Sequence, residues 1–121
     1  MTLPDISQWL RPDWQPHPRV RALVTTRLGR HAPPPWHGFN LGMNCGDDAA
    51  RVEQARRHVH KMLAVDHPPA WLEQVHGDRI IQAGDADTRA DGVWTGEPGW
   101  PCVVLTADCL PVLLARQDGS A

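Results

Sequence analysis

An α+β fold is what this sequence predicts, and three observations predict it. The segment AARVEQARRHVHKMLAV (residues 49–65) carries apolar residues at helical spacing. A β-branched apolar segment precedes it, and five short strand-favouring segments follow it. The strands come in a run rather than in strict alternation with helices, which favours α+β over a βαβ pattern.

The early strand is VRALVTT (residues 20–26), apolar and rich in β-branched side chains. RLGRHAPPPWHGFNLGMNCGDD (residues 27–48) follows, dense in Gly, Pro and Asn, and reads as a loop. Loops of that length are uncommon in compact domains and are often functional. Asp47 or Asp48 is placed to cap the helix, whose positions Val52, Ala55, Val59 and Leu63 form one apolar stripe. Asp66 and the His-Pro-Pro after it are expected to end the helix, because proline disfavours the helical conformation in the residue before it. AWLEQV, RIIQA, ADGVWT, PCVVLTA and PVLLA come next, separated by Gly, Asp or Pro and expected to pair antiparallel. Gln-Asp-Gly-Ser after the last of them is a hairpin-type turn signal. The strand that should return from it is not among the 121 residues. The expected fold is therefore incomplete at its C-terminus, part of a longer protein with one strand edge left unpaired.

Residues 1–121 suit one domain, and a 41% hydrophobic content is enough for a core. A net charge of -2 supplies no basic patch, which argues against nucleic acid as a partner. No apolar run approaches the ~20 residues of a membrane span, and the polar N-terminus holds no run resembling a signal peptide. Three irregularly spaced cysteines do not make a disulfide framework, so a reduced, cytoplasmic setting is expected. Six tryptophans beside one phenylalanine predict a core anchored by large rings, with Trp36 placed to line a site instead.

The chemistry concentrates in LTADCLPVLLA (residues 105–115), where Asp108 and Cys109 interrupt an apolar run. His76, in EQVHGDR, sits against a glycine at the end of an expected strand, and Cys109 holds a comparable place. An imidazole and a thiolate brought together from two strand ends suit zinc or copper. They also suit a cysteine nucleophile activated by histidine, and a buried structural cysteine remains a third reading. His58 and His60 lie two apart on the helix and do not share a face. His17, His31, His37 and His67 fall in loop or proline-rich surroundings, where a solvated histidine is expected. Cys45 reads as a small loop residue and Cys102 as a strand core residue. The sequence has no Walker-type phosphate loop, serine nucleophile elbow or CxxC pair.

Taken together, VTTR (24–27), FNLGMNCGDD (39–48), WLEQVHGDRI (71–80), ADGVW (90–94) and LTADCLPVLLA resemble the bacterial YfiH-like family. This family is also called the multicopper polyphenol oxidoreductase, or laccase-domain, family. The motifs occur in the family's order over residues 20–115. The resemblance implies a layered α/β/β/α sandwich and a zinc site, with copper as the alternative, held by two histidines and one cysteine. It implies phosphorolysis of adenosine, inosine and methylthioadenosine, and deamination of adenosine. His76 and Cys109 match two of the metal ligands and so become the catalytic pair. Asn40 matches a loop position beside the site, and Arg27 is expected to face the same cleft as a planar hydrogen-bond donor that binds phosphate. Asp108 is read as a supporting acid rather than a general base. The third ligand belongs to a His-Ala-Gly-Trp-Arg-Gly motif that is not among these residues, so the chain alone is expected to be inactive. A family Gly-Gly-Val-Ser segment is replaced here by GRHAPPPWHG. Two rival readings are a copper-dependent polyphenol oxidase, disfavoured by scattered histidines, and a non-enzymatic relative that binds metal weakly or binds a partner.

Overall fold

A computed structural model of the chain describes residues 2–121. It contains one α-helix and one pair of parallel strands, in an α/β arrangement. The chain forms two compact units. One takes the residues up to Trp14 together with Arg21–Ala64, and the other takes Gln15–Val20 together with Val65–Ala121.

The first unit is organised by helix α1, Ala49–Leu63. Asp48 caps it, accepting the Ala50 amide at 2.9 Å and satisfying one of the amides a helix start leaves unpaired. Val52, Ala55 and Val59 are buried, as their spacing predicts, while Leu63 is only half-buried. The helix stops at Ala64, before the Asp66-His67-Pro68 stop that the sequence suggests. Ala64 takes a left-handed conformation (φ 53°, ψ 45°), and its amide donates to the Lys61 carbonyl at 3.3 Å. This is a C-cap geometry more often given to glycine.

A ring cluster forms the other side of this unit's core. Trp9 stacks on Phe39 with centroids 6.1 Å apart, and the His58 ring meets both edge-on. His58 Nε2 also donates to the Pro4 carbonyl at 2.6 Å, so a helix histidine is spent on packing. Of the expected aromatic core, Trp9 is buried, whereas Trp14 and Trp94 are exposed. His31 departs from the expected solvated state: it is 2% exposed, and its Nε2 donates to the Arg51 carbonyl at 3.2 Å. The segment 20–26 is not a strand. Val24 alone pairs there, in an antiparallel bridge with Leu10 closed by two 2.8 Å hydrogen bonds.

The second unit holds the strands β1, Ile80–Gln82, and β2, Gly92–Trp94. They run parallel, with Ile80 opposite Gly92 and Gln82 opposite Trp94, and not antiparallel as the sequence suggests. The reason lies in residues 83–91, which form no tight hairpin. Thr88 and Ala90 exchange hydrogen bonds with Glu73 through a parallel bridge of Glu73 with Arg89, so the chain has already turned back before β2 begins. Residues 101–106 and 110–115 contain no strand, so Cys102 is not a strand core residue; it is exposed. Even so, neighbouring atoms desolvate its sulfur and push the thiol pKa up. The turn signalled by Gln-Asp-Gly-Ser does form: Gly119 adopts φ 73° and its amide donates to the Arg116 carbonyl at 3.0 Å. A side chain at Gly119 would collide with the His17 ring.

Candidate functional site

His76 lies in a bend just before β1, not on a strand. More residues separate Glu73 from Ile80 than separate their partners Arg89 and Gly92, so residues 75–79 must bulge out of the parallel ladder. The bulge strips three successive amides of ladder partners, and the carboxylate of Asp91 takes all three. Its Oδ1 accepts from Val75 N at 3.1 Å and from His76 N at 2.7 Å, and its Oδ2 accepts from Gly77 N at 2.8 Å. These donors hold the Asp91 carboxyl below its ordinary value, the Gly77 amide most strongly, with the nearby His76 imidazole adding a smaller charge effect.

The same contacts fix His76 at φ 60°, in the left-handed region. That conformation costs a non-glycine residue roughly 1–2 kcal/mol, and hydrogen bonds to a charged acceptor are strong enough to offset it. The His76 side chain is exposed, and its ring makes no protein hydrogen bond among the described residues. Arg79 reinforces the far side of the bulge. Its Nη1 donates to Asp87 Oδ2 and to the Arg89 carbonyl, both at 2.8 Å. A cavity of about 20 Å³, room for roughly one water, lies beside Asp91 between Leu72, Gln74, Ala90, Val104 and Leu105.

Cys109 is a free, exposed thiol in the bend at residues 107–109, and Asp108 beside it is also exposed. Exposed imidazole and thiolate donors fit zinc in chemical type. Among the described residues, no group of three or more His, Cys, Asp or Glu side chains is gathered to hold a metal ion. The donors present therefore suit the metal but supply at most two of the positions a tetrahedral site needs.

Asn40 and Arg27 belong to the first unit, and the backbone sets them side by side, because Phe39 N donates to the Arg27 carbonyl at 2.9 Å. Gly38 permits that approach, with φ 95° and no side chain to meet the Arg27 carbonyl. The Arg27 side chain is exposed. The Asn40 amide is turned into its own loop. Its Nδ2 lies within reach of Gly42 O (3.2 Å), Cys45 Sγ (3.2 Å) and Asp47 Oδ2 (3.1 Å), and its Oδ1 accepts from Gly42 N at 3.0 Å. Trp36 joins the same loop by donating Nε1 to the Cys45 carbonyl at 2.8 Å. Asp91 is the residue that sequence reasoning missed. An Asp-Gly at a strand start, following a His-Gly bend, was the signal that could have found it.

The chain belongs to the multi-copper polyphenol oxidoreductase laccase family, whose model matches residues 21–121. Among curated proteins it is similar to a purine nucleoside phosphorylase of Pseudomonas aeruginosa, with 41% identity over 116 residues. That match covers 95% of this chain and 47% of the relative. The purine nucleoside phosphorylase YfiH of Escherichia coli is 38% identical over 118 residues, covering 95% of this chain and 49% of the relative. A purine nucleoside phosphorylase of Haemophilus influenzae is 36% identical over 115 residues, covering 93% and 47%. The chain thus spans about half the length of the curated relatives it matches. No helix among the described residues is long and apolar enough to cross a membrane.

Proposed function

We propose that the protein is a cytoplasmic, metal-dependent purine nucleoside phosphorylase acting on adenosine, inosine and methylthioadenosine, with a second activity as an adenosine deaminase. The observation that carries this reading is the similarity, over 93–95% of the chain, to relatives named purine nucleoside phosphorylases. In phosphorolysis a phosphate oxygen attacks the ribose C1′, the C1′–N bond breaks, and the purine leaves with the electron pair and gains a proton. In deamination water adds at the purine C6 and ammonia departs. Arg27, an exposed planar guanidinium, would seat the phosphate by paired hydrogen bonds. Asn40 would order the loop beside the substrate. His76 and Cys109 would hold zinc, or copper, which when bound supplies Lewis acidity at the reacting centre.

In this reading a third ligand comes from a His-Ala-Gly-Trp-Arg-Gly segment outside these 121 residues, and the complete chain folds as the layered α/β/β/α sandwich. The 121-residue chain alone would then bind zinc weakly and turn over no nucleoside. The family description favours one rival, a copper-dependent polyphenol oxidase. One experiment separates them. The protein made from its whole reading frame should release adenine from adenosine plus phosphate, with some inosine, and Cys109→Ala should abolish both. Rapid oxidation of phenolic dyes with nucleosides untouched would replace the phosphorylase reading by the oxidase one.

A further inference from the structure

Outside the residues assigned above, the strongest arrangement in the molecule is the grip of Asp91 on the His76 bulge. We propose that Asp91 is a positioning residue that presets the His76 imidazole for metal, an inference that rests on His76 being a ligand as proposed above. A single carboxylate accepts three consecutive amides, at 3.1, 2.7 and 2.8 Å. The middle one belongs to His76, whose left-handed backbone (φ 60°) would otherwise relax. Since φ and ψ set where a side chain leaves the main chain, the grip fixes the base from which the imidazole projects. Nothing else among the described residues holds the ring itself, so its aim depends on its backbone. Asp91 is in turn fixed by the ladder, with its amide donating to the Arg79 carbonyl at 3.0 Å next to the pairing of Ile80 with Gly92. The device is a rigid strand start steering an exposed side chain on a bulge, in the manner of residues that orient metal ligands from behind.

The test uses the protein made from its whole reading frame and compares wild type with Asp91→Asn, Asp91→Glu, Asp87→Asn and His76→Ala. Asp91→Asn replaces one acceptor oxygen by an NH2 group facing an amide. Asp91→Glu keeps both acceptors but moves them outward. Asp87→Asn weakens the nearby Arg79 anchor without touching the three amides, and so controls for general loosening. Zinc affinity is read by competition with a chelator, and amide exchange is read at residues 75–77. The expected result is faster exchange at 75–77 and about tenfold weaker zinc binding in Asp91→Asn. Asp91→Glu should fall between it and wild type, and Asp87→Asn should stay within about twofold of wild type. If His76→Ala weakens zinc binding while Asp91→Asn and Asp91→Glu leave it unchanged, the positioning role is overturned and the metal reading stands. Zinc binding indifferent to His76→Ala would overturn both.

Discussion

Asp47, just before the cap of α1, pairs with Arg51 in the first turn of the helix, with Arg51 Nη2 2.6 Å and Nε 3.0 Å from the same carboxylate oxygen. The Asp47 side chain is 1% exposed, whereas Arg51 keeps about a fifth of its surface. The pair therefore ties the long loop to the start of the helix, since the other Asp47 oxygen accepts from Asn40. Asp47→Asn should destabilise the protein by about 2 kcal/mol, the usual scale for hydrogen bonds to a charged group. Arg57→Ala, at an exposed helix pair with a 3.8 Å separation, should cost under about 0.5 kcal/mol. Urea unfolding of the two variants measures the contrast.

The same carboxylate gives the loop an acid limit. Burial raises the Asp47 pKa, but hydrogen bonds from Arg51, Asn40 and the Asp48 amide outweigh it and hold the group below its ordinary value. A depressed folded-state pKa contributes stability that is fully present above the ordinary carboxylate value. That stability is lost as pH falls through the lower, folded value. The Trp36 indole N–H, bonded to the Cys45 carbonyl in this loop, reports on it by NMR. Its resonance should hold steady through the mildly acidic range and shift only below the ordinary carboxylate value. A shift near neutral pH would contradict the assignment.

Val52 is fully buried at the N-terminal end of the stripe on α1. Val52→Ala removes two methyl groups from a packed site and should cost about 2 kcal/mol, as the lost burial plus a residual cavity. Glu53→Ala, one residue on and exposed, should change stability by under about 0.5 kcal/mol. Thermal or chemical unfolding decides it. Equal effects at both positions would mean that the stripe is not the packing face.

Ala64 offers a stabilising change. Its left-handed C-cap costs an alanine roughly 1–2 kcal/mol that glycine avoids, less the greater freedom glycine has when unfolded. Ala64→Gly should therefore raise stability by about 0.5 kcal/mol. A fall in the unfolding midpoint would show that the helix continues past Leu63 in solution.

Leu110, Val112 and Leu114 lie close together in a segment without regular secondary structure and are all strongly exposed, Leu110 at 92%. Three uncovered apolar side chains within five residues favour self-association. In the 121-residue chain, Leu110→Lys with Leu114→Lys should reduce light scattering at high concentration. The same pair should leave the unfolding midpoint within a few degrees.

What could be read from the sequence was what local chemistry decides. The period of Val52, Ala55 and Val59, the Asp48 cap and the Gly119 turn each depend on neighbours along the chain, and each is present. The helix stop was misplaced because Ala64 closes the helix by its own backbone conformation, which no residue type there advertises. Strands are harder, because a β-prone segment becomes a strand only when a partner reaches it. Residues 110–115 have the composition without the partner, and residues 20–26 keep one bridge. The direction of β1 against β2 depends on the path of residues 83–91, which a list of strand-prone segments does not contain. Of the candidate site, the residue types His76 and Cys109 stood out at once. The grip of Asp91 did not, because three backbone amides on one carboxylate follow from a bulge in a ladder rather than from any spacing of side chains.

The parallel pairing of β1 with β2 has a further consequence, for how this segment tolerates changes in length. Both strands begin at the same edge, which is why Arg79 and Asp91 meet there at all. Residues added to the connecting stretch near Gly84–Ala86 would only lengthen an exposed excursion whose ends stay put. One residue added between Gly77 and Ile80, or between Asp91 and Gly92, would carry the carboxylate away from the amides it holds. Natural insertions and engineered tags in this half of the molecule therefore have a permissive address and a forbidden one, only a few residues apart.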